Sequence, residues 1–180
     1  MSQQSRWIRF NARLTGALTE FLLDGLASAH TEFALAVEEA RDLDPARWRP
    51  RWHFQRAGVL GRSGDLAAAL EDMSTALAGL DSFTELEQCS VLVTDGLLRA
   101  MVGSQRAAAR SFGRARQIAD ALGHEGMAAT AIHDEGYSEY LAGNLPRALE
   151  LVSAGDVDDG YVTPAILLLD RGIVLLECGL

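Results

Sequence analysis

His133-Asp134-Glu135 sets an imidazole beside two carboxylates, the residue types of general acid–base catalysis. Consecutive residues on a helix point about 100° apart, so the three cannot converge on one substrate atom unaided. The better reading has His133 facing a groove with its acidic neighbours to either side; a small hydrolase built on His133 or His124 is the minor alternative. Asp156-Val157-Asp158-Asp159-Gly160 hints at a calcium loop, but its glycine is fifth where an EF-hand needs it sixth, and position twelve is Leu167 rather than Glu. An ordinary solvated turn is expected there. The chain contains no Walker loop, no dinucleotide glycine fingerprint and no zinc spacing. No metal, cofactor or enzymatic activity is therefore expected.

The segment Pro45–Arg56 interleaves Arg47, Arg49, Arg51 and Arg56 with Trp48 and Trp52, a composition able to stack on bases or clamp phosphate. Charge argues against that use. Residues 1–60 carry eight arginines against seven acids, whereas residues 61–180 carry eight against eighteen, so most of the chain repels a phosphate backbone. Nucleic acid is not the expected partner, and the tryptophans are expected to anchor a turn between repeats. Arg106, Arg110 and Arg114 form an i, i+4, i+8 stripe that reads as a solvated helix face. Cys89 and Cys178 lie far from each other and from any ligand cluster, and read as small apolar residues on helices. The apolar run Pro164–Leu169 stops at Asp170-Arg171, too short for a membrane span, and the first residues lack a signal-peptide core. A cytoplasmic location without membrane contact is expected.

Apolar residues recur at three and four, which excludes alternating strands and calls for helices. Gly64, Gly103 and Gly143 punctuate the chain at nearly constant intervals. Counting each repeat so that this glycine is position 15, repeats start at Phe10, Pro50, Cys89, Ala129 and Ala165. Position 8 is small (Ala17, Ala57, Gly96, Gly136, Gly172), position 20 is alanine (Ala29, Ala69, Ala108, Ala148), and position 24 is larger (Phe33, Met73, Phe112, Val152). Small residues on both helices let a pair cross closely near its turn, and the large one is expected to reach into the next repeat. The expectation is a single all-α domain over 1–180. Its repeats are about 10–49, 50–88, 89–128 and 129–164, with a half repeat at 165–180.

These positions resemble the tetratricopeptide repeat (TPR), at Ala57, Gly96, Gly136, Gly172, Ala69, Ala108, Ala148, Phe33 and Phe112, with Asp42-Leu43-Asp44-Pro45 similar to a repeat ending. Repeat lengths exceed the standard 34 residues, and the bulky first-position residue is displaced or replaced (Trp52, Leu92, Ile132). Residues 125–180 are more narrowly similar to the repeats that precede the caspase-like CHAT domain of actinobacterial proteins; the protease domain itself has no counterpart. The resemblance implies a TPR-like α-solenoid of about four antiparallel pairs plus a C-terminal half repeat.

It further implies an inner, concave surface lined by Arg51, Phe54, Arg62, Val93, Leu97, Met101, Thr130, His133, Tyr137, Tyr140, Ile166 and Leu169. The expected function is a scaffold or adaptor that holds a peptide or partner helix on that face. The alternative is a sensor or oligomerisation arm of a bacterial regulatory or CHAT-type protein, or a fragment of one. In the last helix, Ile166, Leu169, Ile173 and Leu176 or their neighbours are expected to pack on the preceding pair, leaving Leu167, Leu168, Val174 or Leu175 uncovered. That uncovered face carries the expectation of self-association through 165–180.

Overall fold

The computed structural model describes residues 2–154 and 164–179, all helix or connecting turn. The segment Asp156–Gly160 lies outside the described residues. Helices come as α1 (Gln3–Asp24) with α2 (Leu26–Glu39), α3 (Pro45–Ser63) with α4 (Leu66–Ala78), α5 (Glu85–Met101) with α6 (Gln105–Ala121), α7 (Glu125–Leu141) with α8 (Leu145–Ala154), and then α9 (Pro164–Glu177). Each of the four pairs packs helix on helix. The chain divides into two compact units, Met1–Phe83 and Thr84–Leu180.

The sequence explains where these helices start and stop. Asp44 and Asp65 accept backbone N–H groups at the starts of α3 and α4. Thr84 and Glu87 close a reciprocal capping box on α5, and the His124 ring accepts from Met127 N at the start of α7. Between the helices of a pair the chain reverses at a glycine in the left-handed region, with φ of 89° at Gly64 and 78° at Gly143. Helix α3 begins before the repeat start expected at Pro50 and carries that proline inside it. The ring is housed by Gly79, where a Cβ would collide with the Pro50 Cγ.

Each pair is closed by the same seam. Ala17, Ala57, Ala29, Ala69, Ala108 and Ala148 are fully buried, and Phe33, Met73, Phe112 and Val152 are at most 2% exposed. In the second unit the large residue of position 24 fills the notch of its own pair. A Cβ on Gly96 would meet the Phe112 ring at 2.6 Å, and one on Gly136 would meet Val152 N at 2.9 Å. That side chain thus locks its own pair, and Val152 also reaches towards the next repeat, lining a cavity with Asp170, Ile173 and Val174. In the first unit Phe33 also touches the third helix, edge-on to Trp52.

Beside this apolar lock runs a polar one. Position 23 of the second helix pairs with position 4 or 7 of the first: Arg13 Nη1 with Glu32 Oε2 at 3.0 Å, His53 Nδ1 with Asp72 Oδ1 at 2.7 Å, and Arg56 Nη2 with Asp72 Oδ1 at 2.8 Å. In α5/α6 the polarity reverses, and Ser111 donates to the buried Asp95, which also accepts from Arg99 Nε at 2.7 Å. A buried carboxylate is tolerated only when so partnered.

The Arg/Trp segment is structural. Trp52 Nε1 donates to Phe33 O at 3.1 Å, Trp48 lies edge-on to Phe10, and Arg56 sits 4.3 Å over the Trp52 ring. Among the described residues no helix is long and apolar enough to cross a membrane.

Cys89 is buried with its Sγ donating to Ala115 O, and burial is the main reason its thiol is raised above the ordinary value; Cys178 is half-buried. An aromatic disulfide reagent added to the native protein should therefore modify Cys178 at least roughly tenfold faster than Cys89. Equal rates, read by mass spectrometry of the two peptides, would contradict the packing of α5 on α6.

Candidate functional site

The face of α7 that carries His133, Tyr137 and Tyr140 meets α8 and α9 in the second unit. His133 is 2% exposed, and its Nε2 lies 3.0 Å from Asp170 Oδ2 on α9. Its Nδ1 is buried and has no hydrogen-bond partner among the described residues. A hydrogen on Nε2 is donated to Asp170, and Nδ1 is then a buried acceptor without a partner among the described residues.

Asp134, next on the helix, is half-buried. Burial, and after it the charge of Asp170, push its carboxyl up to about 7. One turn further along α7, the Tyr137 and Tyr140 rings stack with centroids 6.2 Å apart and an interplanar angle of 27°. Tyr137, Tyr140, Val152, Asp170, Ile173 and Val174 line a cavity of about 260 Å³. Among the described residues its wall thus offers two aromatic rings, one carboxylate and three aliphatic side chains, with no basic group.

Of the expected groove residues, the structure gathers only His133, Tyr137 and Tyr140 at this place, and only the tyrosines line the cavity. His133 is a correction: it is interior, held by Asp170, and does not line a groove. Arg51 is another. At 8% exposure it donates to Ser82 O at 2.8 Å and Arg47 O at 3.3 Å and stacks over Phe83, so its cation is consumed by the packing of the first unit. Phe54 is half-buried, edge-on to Phe83, and Arg62 is exposed with Nη1 on Gly58 O.

In the second unit Val93 is buried, Leu97 half-buried and Met101 exposed. Thr130 turns its hydroxyl onto Gly126 O at 2.9 Å, the local bond that helical threonine commonly makes. Arg106, Arg110 and Arg114 are all exposed, as a solvated face requires.

Helix α9 differs in part from the face expected: Val174 turns inward, while Leu168 is uncovered as expected. Val174 is 3% exposed, whereas Ile166, Leu169, Ile173 and Leu176 range from 36% to 75% exposed, joined by Leu168. Asp170, bonded to His133, turns towards α7 on the same side as the buried Val174. Asp170 was the residue missed by inspection of the sequence, where it only interrupts an apolar run. Its one signal is an acid placed among leucines, a position that solvent exposure or a buried partner must explain.

No group of three or more histidine, cysteine, aspartate or glutamate residues suited to a metal ion exists among the described residues. No family model matches the chain, and no curated protein matches it. The crystal structure of BtubC (BKLC) from P. vanneervenii is similar, with a TM-score of 0.66 at 16% identity, covering 99% of this chain and 85% of BtubC. At that identity the likeness is one of fold.

Proposed function

We propose that this chain is a protein-interaction module, a TPR-like α-solenoid scaffold or adaptor working in the cytoplasm by binding rather than by covalent chemistry. The observation that carries this reading is the tyrosine-lined cavity between α7, α8 and α9, continuous in type with the exposed apolar side chains of α9. Aromatic side chains beside an apolar, partly open cleft are what a docked peptide or helix uses as an anchor point. The fold shared with BtubC supports a helical array and says nothing of a partner.

The experiment is selection of binders from a displayed library of helical and extended peptides on the immobilised chain. Selected peptides should lose about tenfold in affinity to a Tyr137→Ala/Tyr140→Ala double variant whose circular dichroism is unchanged. Binders indifferent to that change, yet abolished by charge reversal at Arg106, Arg110 and Arg114, would move the site to the second-helix face. A selection that yields no binder at all would contradict the interaction reading.

A second reading rests on a separate observation. Leu168, Leu169 and Leu176 are 69%, 62% and 75% exposed on one short helix, more contiguous apolar surface than a solvated helix usually carries. It makes the chain an oligomerisation arm of a regulatory or CHAT-type protein, self-associating through 165–180. Sedimentation of the wild type against Leu168→Glu/Leu176→Glu separates the two. A wild type that stays monomeric at high micromolar concentration removes the oligomerisation reading.

A further inference from the structure

The geometry points to a site for an organic cation, an ammonium or guanidinium head group, in the cavity formed by Tyr137, Tyr140 and Asp170. This deepens the interaction reading, since it rests on the same tyrosine surface and names the chemistry of what enters.

With the hydrogen of His133 on Nε2 and donated to Asp170, the pair as a whole keeps the full negative charge of the Asp170 carboxylate. No arginine among the described residues pairs with Asp170 or Asp134. The carboxyl of Asp134 is raised first by burial and then by the charge of Asp170, which repels a second anion here.

The rest of the wall excludes the alternatives. An anion would face Asp170 with no donor but two phenols. A purely apolar ligand would strip water from the carboxylate and offer nothing in return. A soft, weakly hydrated cation satisfies all three kinds of surface at once: the carboxylate by charge, the tyrosine rings by cation–π attraction, and Val152, Ile173 and Val174 by contact with its carbon substituents. The field around the site has the same sign. Residues 84–180 carry seven arginines against fourteen carboxylates, which draws cations towards this unit.

The head group can belong to a lysine or arginine of a partner peptide, or to a free small amine. The test uses the full 180-residue chain and calorimetric titration with tetramethylammonium, choline, and 3,3-dimethylbutanol, the uncharged shape analogue of choline. Both cations should bind in the millimolar range, and the alcohol about tenfold more weakly or not at all. Asp170→Asn and Tyr137→Leu should each weaken choline binding by about tenfold. Because Asp170→Asn also touches His133, Tyr137→Leu, at a partly exposed position, keeps the test decisive should the first variant unfold.

Capped peptides bearing one lysine or one arginine distinguish the sources. A peptide that binds more tightly than the free amine of its side chain assigns the cation to a partner, and equal affinities assign it to a small amine. Alcohol binding equal to choline binding, or undiminished binding by folded Tyr137→Leu, overturns the inference. Display-selected peptides that bind through the tyrosines without a basic residue would overturn it too, while leaving the interaction reading intact.

Discussion

Gly136→Leu is expected to destabilise the protein by about 3 kcal/mol or more, and Gly172→Leu, the same change at the same repeat position of α9, to be neutral or stabilising by up to about 1 kcal/mol. The difference lies in what the new side chain meets. At Gly136 even a Cβ would stand 2.8 Å from the Val152 Cγ2 and 2.9 Å from Val152 N, and the second of these is backbone that cannot rotate away. Helices α7 and α8 would have to separate, opening the seam that buries Ala148, Leu151 and Val152. At Gly172 nothing lies within 4 Å of the added atom, so the helix only gains the backbone restriction that glycine lacks. Urea midpoints for the two variants and the wild type measure this. Equal effects would mean that position 8 is not the close-approach point of the pairs.

That contrast also shows what the sequence made legible. The recurrence of small, small and large at positions 8, 20 and 24 located four helix pairs, because close helix crossing imposes a size constraint that composition cannot hide. The same spacing did not reveal the polar lock at position 23, since Glu32, Asp72 and Ser111 differ in chemistry and sign while occupying one place. Hydrogen bonding asks for a complement, not for a residue type.

The start of α3 was missed because Pro50 reads as a helix beginning. It became an interior residue only because Gly79, far along the chain, makes room for its ring. Helix α9 was the extreme case. It is apolar nearly all round, so periodicity cannot choose the inward face, and the bond between His133 and Asp170 joins positions 37 residues apart. His133 has the chemistry of a catalytic group and serves packing. The carboxylate it holds is what gives the neighbouring cavity its charge.

Asp134→Asn is expected to stabilise the protein by about 2–3 kcal/mol at pH 8 and by much less at pH 5. The carboxyl of Asp134 is pushed up to about 7 in the folded chain, whereas in the unfolded chain it titrates near 4. Folding therefore takes up a proton anywhere between those values, so stability from this group is greatest below pH 4, declines as pH rises, and levels off once the folded carboxyl ionises above 7. A displacement of that size corresponds to about 4 kcal/mol when both states are ionised. Asp134 keeps some contact with solvent, which screens part of the penalty and sets the lower expected value. Asparagine has nearly the same shape and no charge to desolvate, so the variant should lose this pH dependence while other carboxylates keep theirs. The measurement is the difference in urea midpoint between variant and wild type at pH 5, 6, 7 and 8. It should grow steadily to pH 7 and then flatten. A difference that stays constant across the range, or that favours the wild type at pH 8, would show that Asp134 is solvated or paired in the folded protein.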